Sequence, residues 1–265
     1  MCADVTSANI VGYQKKSVEL CGGTFIYGSD FLTTGTSDDS FSIQSIVPSW
    51  PEESVEEYQN GDCVIQTLTE NAVEEESYYY LFEEGAKGYE GPGWYTRDGG
   101  NYTKSNRTFK RGEAYLFYSY YACDDEDEDI PTGYQTAGEV NLTAKTFTFG
   151  EGLCGGTFCI ANPRPLELDI QKFVPSYHPD SVEEYQNGDC VIQTLTENAV
   201  EEESYYYLFE EGAKGYEGPG WYTRDGGNYT KANKKFAPAE GFLFYSYYAC
   251  DDNDDDLPTY LTINE

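Results

Sequence analysis

His178 is the only histidine among 265 residues, and that single count removes most proton-transfer chemistry. Nucleophilic catalysis pairs an activated serine or cysteine with a base, yet the usual base stands in only one of two otherwise matching halves of this chain. A loop position is expected for His178, and no catalytic residue is expected anywhere. The 48 Asp and Glu residues would in number allow the carboxylate pair of a glycoside hydrolase, but such abundance carries no positional information. The chain therefore reads as a non-enzyme without a cofactor, Ca²⁺ being the one ion left open.

That ion enters through two acidic runs, Asp124-Asp125-Glu126-Asp127-Glu128-Asp129 and Asp251-Asp252-Asn253-Asp254-Asp255-Asp256. Hard oxygen ligands at this density suit Ca²⁺, which makes Asp124, Asp125, Asp127, Asp129, Asp251, Asp252, Asp254 and Asp256 the candidate ligands. Neither run has the sixth-position glycine or the distant bidentate Glu of an EF-hand loop, so a solvated, self-repelling loop is the competing expectation. A glycan platform is the other candidate site. Trp and Tyr faces stack on sugar C–H surfaces, and Trp94 with Tyr95, repeated as Trp221 with Tyr222, sit among Gly, Thr, Arg and Asp. Aromatic pairs of this kind also build cores.

Eight cysteines complete the inventory: Cys2, Cys21, Cys63, Cys123, Cys154, Cys159, Cys190 and Cys250. No CxxC pair occurs, and one histidine cannot complete a zinc set. Disulfides formed in an oxidising compartment are the expectation, with buried free thiols as the alternative. The favoured pairs are Cys63 with Cys123 and Cys190 with Cys250, each bracketing strand-like segments of one half. Each would close a loop of 60 positions (63 to 123, 190 to 250), a constraint of roughly 4 kcal/mol in the chain-entropy picture. Cys21 and Cys154 stay unassigned, as do Cys2 and Cys159, which fall outside the repeating trio and are free to link subunits or to pair within the chain.

The elements that position these residues come in duplicate. Ser54 to Lys104 recurs without change as Ser181 to Lys231. Leu20 to Phe25 returns as Leu153 to Phe158, and Leu116 to Cys123 as Leu243 to Cys250, with six residues fewer in the second copy between its opening motif and the shared block. That difference is expected in the loop from Gly28 to Ser40. A period this long is a domain and not a solenoid unit, so two β domains are expected, residues 1–140 and 141–265, joined by a short, stiff junction.

Aromatics make up 16 % of the chain, with 26 Tyr, 14 Phe, 27 Gly and a single Met, a composition that favours pleated sheets and turns over packed helices. Strands are expected at Cys63–Thr69, Tyr78–Phe82, Trp94–Thr96, Ala114–Tyr121 and Asn141–Phe149. Asn60-Gly61 predicts a type I′ turn and Asp98-Gly99-Gly100 a second turn. Ser42–Val47 and Asp169–Val174 read as one short helical turn per copy, ended by Pro48 and Pro175. The fold class is all-β, two near-identical sandwich- or barrel-like units with at most one short helix each.

The net charge of −32 repels phosphate backbones and anionic lipid headgroups, which argues against nucleic acid and membrane surfaces as partners. No apolar run reaches the roughly 18 to 20 residues of a spanning helix, and the opening residues read as a mature N-terminus after leader removal.

Asn9-Ile10-Val11-Gly12-Tyr13, the Trp94-Tyr95 segment, Ala237-Pro238-Ala239-Glu240-Gly241-Phe242 before the aromatic strand, and Gly138-Glu139-Val140 resemble a poorly characterised β-rich repeat module of bacterial secreted and cell-surface proteins. The resemblance implies an extracellular or cell-surface location more than an activity. The expected function is a non-catalytic structural or interaction protein, a self-associating subunit of a filament, surface layer or adhesin. The alternatives are a carbohydrate-binding module duplicated for avidity and a secreted ligand or inhibitor of a basic protein.

Overall fold

The computed structural model describes residues 11–18, 23–33, 39–49, 58–69, 71, 73–119, 132–149, 156–182, 184–196, 201–247, 251 and 257–264. The protein is all-β. In the first half a six-stranded antiparallel sheet runs in the order β2 (Gly23–Gly28), β11 (Ala114–Ser119), β6 (Cys63–Leu68), β7 (Glu74–Leu81), β8 (Gly93–Asp98) and β9 (Asn101–Lys104). A second sheet centres on β12 (Thr132–Val140), paired with β1 (Val11–Val18), β3 (Phe31–Leu32) and β5 (Ile46–Ser49), while β4 (Ser40–Ser42) pairs with β10 (Thr108–Lys110). The second half repeats the pattern. Its six-stranded sheet is β14 (Gly156–Ala161), β22 (Gly241–Ser246), β17 (Cys190–Leu195), β18 (Glu201–Leu208), β19 (Gly220–Asp225) and β20 (Asn228–Lys231). Beside it lie β13 (Lys145–Phe149), β23 (Thr259–Ile263) and β16 (Phe173–Ser176), and the pair β15 (Leu168–Asp169) with β21 (Lys235–Phe236).

Alternation explains why these segments are strands. Along β6, Cys63, Ile65 and Thr67 are buried and their neighbours are not, the two-residue period of a sheet with one face on a core. In Tyr78-Tyr79-Tyr80 the outer two tyrosines point into that core and the middle one away from it. Among the described residues two buried clusters form, one from each half. At the centre of the first, the Trp94 ring stands edge-on to Tyr80 at 5.1 Å and to Phe117 at 6.4 Å, and its indole N–H donates to the Ile46 carbonyl at 2.6 Å.

The expected helical turns are single 3₁₀ turns, Ile43–Ser45 and Ile170–Lys172, capped by the Ser42 and Asp169 side chains. They stop so soon because Ile46 and Phe173 re-enter strands. Each turn aims one glutamine into the sheet: the Gln44 side chain donates to Trp94 O at 2.9 Å and Ser105 O at 2.8 Å and accepts from Trp94 N at 3.1 Å. Gln171 does the same for Trp221 and Ala232.

The type I′ turn falls elsewhere than expected. Gly99 and Gly100 both have positive φ (53° and 85°) and close the β8–β9 hairpin, the backbone signature of that turn. At Asn60-Gly61 only Gly61 is left-handed (φ 95°), with Asp62 N donating to Gln59 O at 3.1 Å, the pattern of a type II turn. Asn60 contributes through its side chain instead, accepting from Phe82 N at 2.6 Å and Glu83 N at 3.1 Å.

The two halves meet along matching edges. Gly28 N donates to Ala239 O at 3.0 Å, and Ala161 N donates to Gly112 O at 3.0 Å. Isolated bridges join Tyr27 to Glu240 and Glu113 to Ile160. In the duplication Gly28 corresponds to Ala161, Tyr27 to Ile160, Gly112 to Ala239 and Glu113 to Glu240, so each contact has a reciprocal partner. The junction is thus an approximate two-fold within one chain. Small residues make the approach feasible: a Cβ on Gly28 would lie 2.3 Å from Ala161 Cβ, and one on Gly241 would lie 2.1 Å from Ile26 Cγ2. On one side Arg111 fastens the connection, paired with Asp39 at 2.9 Å and donating to Asn141 O at 3.1 Å and Thr143 O at 3.2 Å.

Candidate functional site

The glycan platform expected at Trp94, Tyr95, Trp221 and Tyr222 is not a surface. All four side chains have 0 % exposure. Trp94 and Trp221 face inward because they pair across strands with Tyr80 and Tyr207, whose side chains fill the two cores. Tyr95 faces outward but is roofed by the loop before β8: its ring stacks on Tyr89 at 6.4 Å, and its hydroxyl donates to Gly91 O at 2.6 Å and accepts from Glu90 N at 2.8 Å. Tyr222 is held in the same way under Tyr216, bonded to Gly218 O and Glu217 N.

Aromatic surface of the right character lies one step along the same row of the sheet. Tyr206 on β18 and Tyr245 on β22 both register with Val191 on β17, so the three side chains share the outer face. Together with Tyr247, which is 60 % exposed, they line a groove of about 420 Å³ floored by Gly188, Asp189, Gln193, Ser204 and Ser246. Gln193 donates to Ser204 at 3.3 Å, which orients one amide of the floor. Two tyrosines two strands apart stand about 10 Å from each other. The first half has the same row, Tyr118 and Tyr79 flanking Val64, with Gln66 donating to Ser77 at 3.4 Å. The sequence signal for these residues was the triple tyrosine itself: in a strand, three in a row must put at least one outward.

Cys63, Cys159 and Cys190 carry free thiols, so no Cys63 or Cys190 disulfide is present here, contrary to the expected pairing. Cys63 and Cys190 open the central strand of each sheet, fully buried, and burial raises their pKa values. Burial also pushes Cys159 up to about 12. Thiols held in the protonated form are poor nucleophiles. Cys123 and Cys250, their expected partners, and Cys2, Cys21 and Cys154 lie outside the described residues. So do the candidate Ca²⁺ ligands Asp124, Asp125, Asp127, Asp129, Asp252, Asp254 and Asp256. Among the described residues, Asp251 included, no group of three or more His, Cys, Asp or Glu is placed to hold a metal. His178 lies before a turn, its Nδ1 accepting from Asp180 N at 3.2 Å and its ring stacked on Tyr260 at 6.2 Å, as a loop residue would be.

One titratable pair lies beside the junction. Asp30 is 2 % exposed, and burial raises its carboxyl to about 6, opposed by nearby Lys16. Burial lowers the Lys16 pKa in turn, and its ammonium donates across the junction to Pro238 O. Because the folded chain binds the Asp30 proton more tightly than the unfolded chain, this group destabilises the fold as pH rises from about 4 through 6. Acidification from pH 7 to 4 should return up to about 3 kcal/mol, the reverse of a salt-bridged carboxylate. The check is urea unfolding of the natural chain and Asp30→Asn at both pH values. A stability difference between the two proteins that stays constant with pH would contradict it.

In comparisons with protein-family models, curated proteins and solved structures, nothing matches this chain.

Proposed function

We propose that this chain is a non-catalytic, cell-exterior carbohydrate-binding protein that presents two equivalent tyrosine faces on one stiff body. The observation carrying this reading is the outward row of tyrosine, valine and tyrosine, repeated at Tyr118-Val64-Tyr79 and Tyr245-Val191-Tyr206 beside a Gln–Ser pair in each half. Flat aromatic faces with fixed amide and hydroxyl neighbours suit neutral sugars, and the net charge of −32 disfavours polyanions at long range. Two such faces held by a two-fold junction would bind a polymer with avidity far above either face alone.

Assembly by copying the internal junction between molecules has less support. A two-fold contact uses the same edge of both partners and closes on itself, and both edges are already engaged within the chain. The open edges of the two six-stranded sheets away from the junction, β9 and β20, are short and each carries a lysine, a pattern that discourages strand addition at those two edges.

The test is a glycan array followed by titration with the best neutral polysaccharide and its short oligosaccharide. Tyr79→Ala or Tyr206→Ala alone should weaken polymer binding by about 100-fold while merely halving oligosaccharide capacity, and the double variant should bind neither. Both residues face solvent, so the fold should persist. A silent array, or a double variant that binds as the natural chain does, would remove this reading.

A further inference from the structure

A second cleft, unrelated to the tyrosine faces, has the opposite electrostatic character. It encloses about 640 Å³ between the halves and is lined by four cations, Arg107, Lys110, Arg111 and Lys145, a quarter of the 16 Lys and Arg in the chain. Glu113 is its one acidic lining residue, and it is paired with Arg107 at 2.6 Å. Asp39 holds both Arg111 and Lys145, which leaves that trio with one positive charge in excess. Lys110 is exposed and has no ion-pair partner among the described residues. The cleft therefore keeps about two uncompensated positive charges inside a strongly acidic protein.

Its wall is also an open strand edge. All five residues of β13, Lys145 to Phe149, line the cleft, although successive side chains of a strand point to opposite faces. A cavity touching both sets runs along the strand's rim. Among the described residues β13 pairs on one side only, with β23, and no backbone hydrogen bond from outside that sheet engages it. Five residues offer about 17 Å of edge. The positions matching Lys110 and Arg111 in the other half are Ala237 and Pro238, so the duplication does not repeat this arrangement.

We propose that this cleft is a docking site for an extended acidic peptide, which adds as a strand to the open edge of β13 and places its carboxylates against Lys110, Arg107 and Lys145. Backbone hydrogen bonds would supply affinity, and alternate side chains would supply selection. The overall negative field opposes an acidic ligand at a distance, but at about 0.15 M salt the screening length is about 8 Å, and the local cations then decide.

The probe is a fluorescein-labelled acetyl-Glu-Val-Glu-Val-Glu-Val-Glu amide, titrated with the full chain at that ionic strength and followed by anisotropy. Replacing every Glu by Gln should weaken binding at least tenfold, and so should Lys110→Glu, whose exposed position leaves the fold intact. Two further peptides carry N-methyl groups on alternate amides, one for each register. One of them should lose binding and the other keep it. Equal binding of the Gln peptide, no binding of the parent at millimolar concentration, or full binding by both N-methylated peptides would each overturn the proposal. The last of these would reduce the cleft to a simple anion site.

Discussion

Trp94→Ala is expected to destabilise the protein by about 4 kcal/mol, and Trp221→Ala by the same amount within about 0.5 kcal/mol. Each indole has no exposed surface, stands edge-on to a tyrosine at 5.1 Å and donates at 2.6 Å to the carbonyl of Ile46 or Phe173. Truncation opens a large cavity and strands that buried carbonyl, and both effects act in the same direction. Phenylalanine at either position should recover part of the loss by refilling volume while leaving the carbonyl unpaired. Urea unfolding of the four variants measures this directly. A loss under about 1 kcal/mol would mean that the indole is not where the structure has it.

The second large effect is mechanical. Gly241→Val should prise the two halves apart, because its Cβ would fall 2.1 Å from Ile26 Cγ2 and 2.8 Å from Ile26 O, and a backbone oxygen cannot yield as a flexible side chain does. Gly241 has no left-handed φ, so the penalty is contact and not backbone strain. Hydrogen exchange reads the outcome residue by residue. The amides of Gly28 and Ala161, which bond across the junction, should lose protection in the variant, while those of Ile65 and Ile192 in the two cores should keep most of theirs. Retained protection at Gly28 and Ala161 would show that the halves accommodate the valine together.

How much of this could be read beforehand depends on the range of the interaction. The all-β class was legible from two-residue alternation such as Cys63 to Leu68, because strand burial is a local property of the chain. The 3₁₀ turns before Pro48 and Pro175 were legible for the same reason. Which face a given aromatic takes was not. Trp94 turned out to be core because of its register with Tyr80, and Tyr95, on the opposite face, was hidden by a loop whose path depends on Tyr89 and Gly91. The same parity argument, applied to Tyr78-Tyr79-Tyr80, would have singled out Tyr79 as the outward ring. The junction rests on Gly28 meeting Ala239 and Gly241 meeting Ile26, pairs more than 200 positions apart in sequence, and no local pattern announces them. The cationic cleft is similar: Lys110 and Lys145 are ordinary surface residues until the fold sets a strand edge between them.

The reciprocal contact between the halves has a consequence for dilution. Two separate chains meeting through such a self-complementary edge would come apart as their concentration fell. Fused in one polypeptide, the partners are always present to one another at an effective concentration set by the short connection through Asn141 to Ala144, so this protein should hold its shape equally well in a crowded layer and as a lone molecule. The fusion also releases the pair from sameness. With one copy of each edge per chain, Arg111-Gly112 on one side and Pro238-Ala239 on the other are free to specialise, a liberty denied to any assembly of identical subunits.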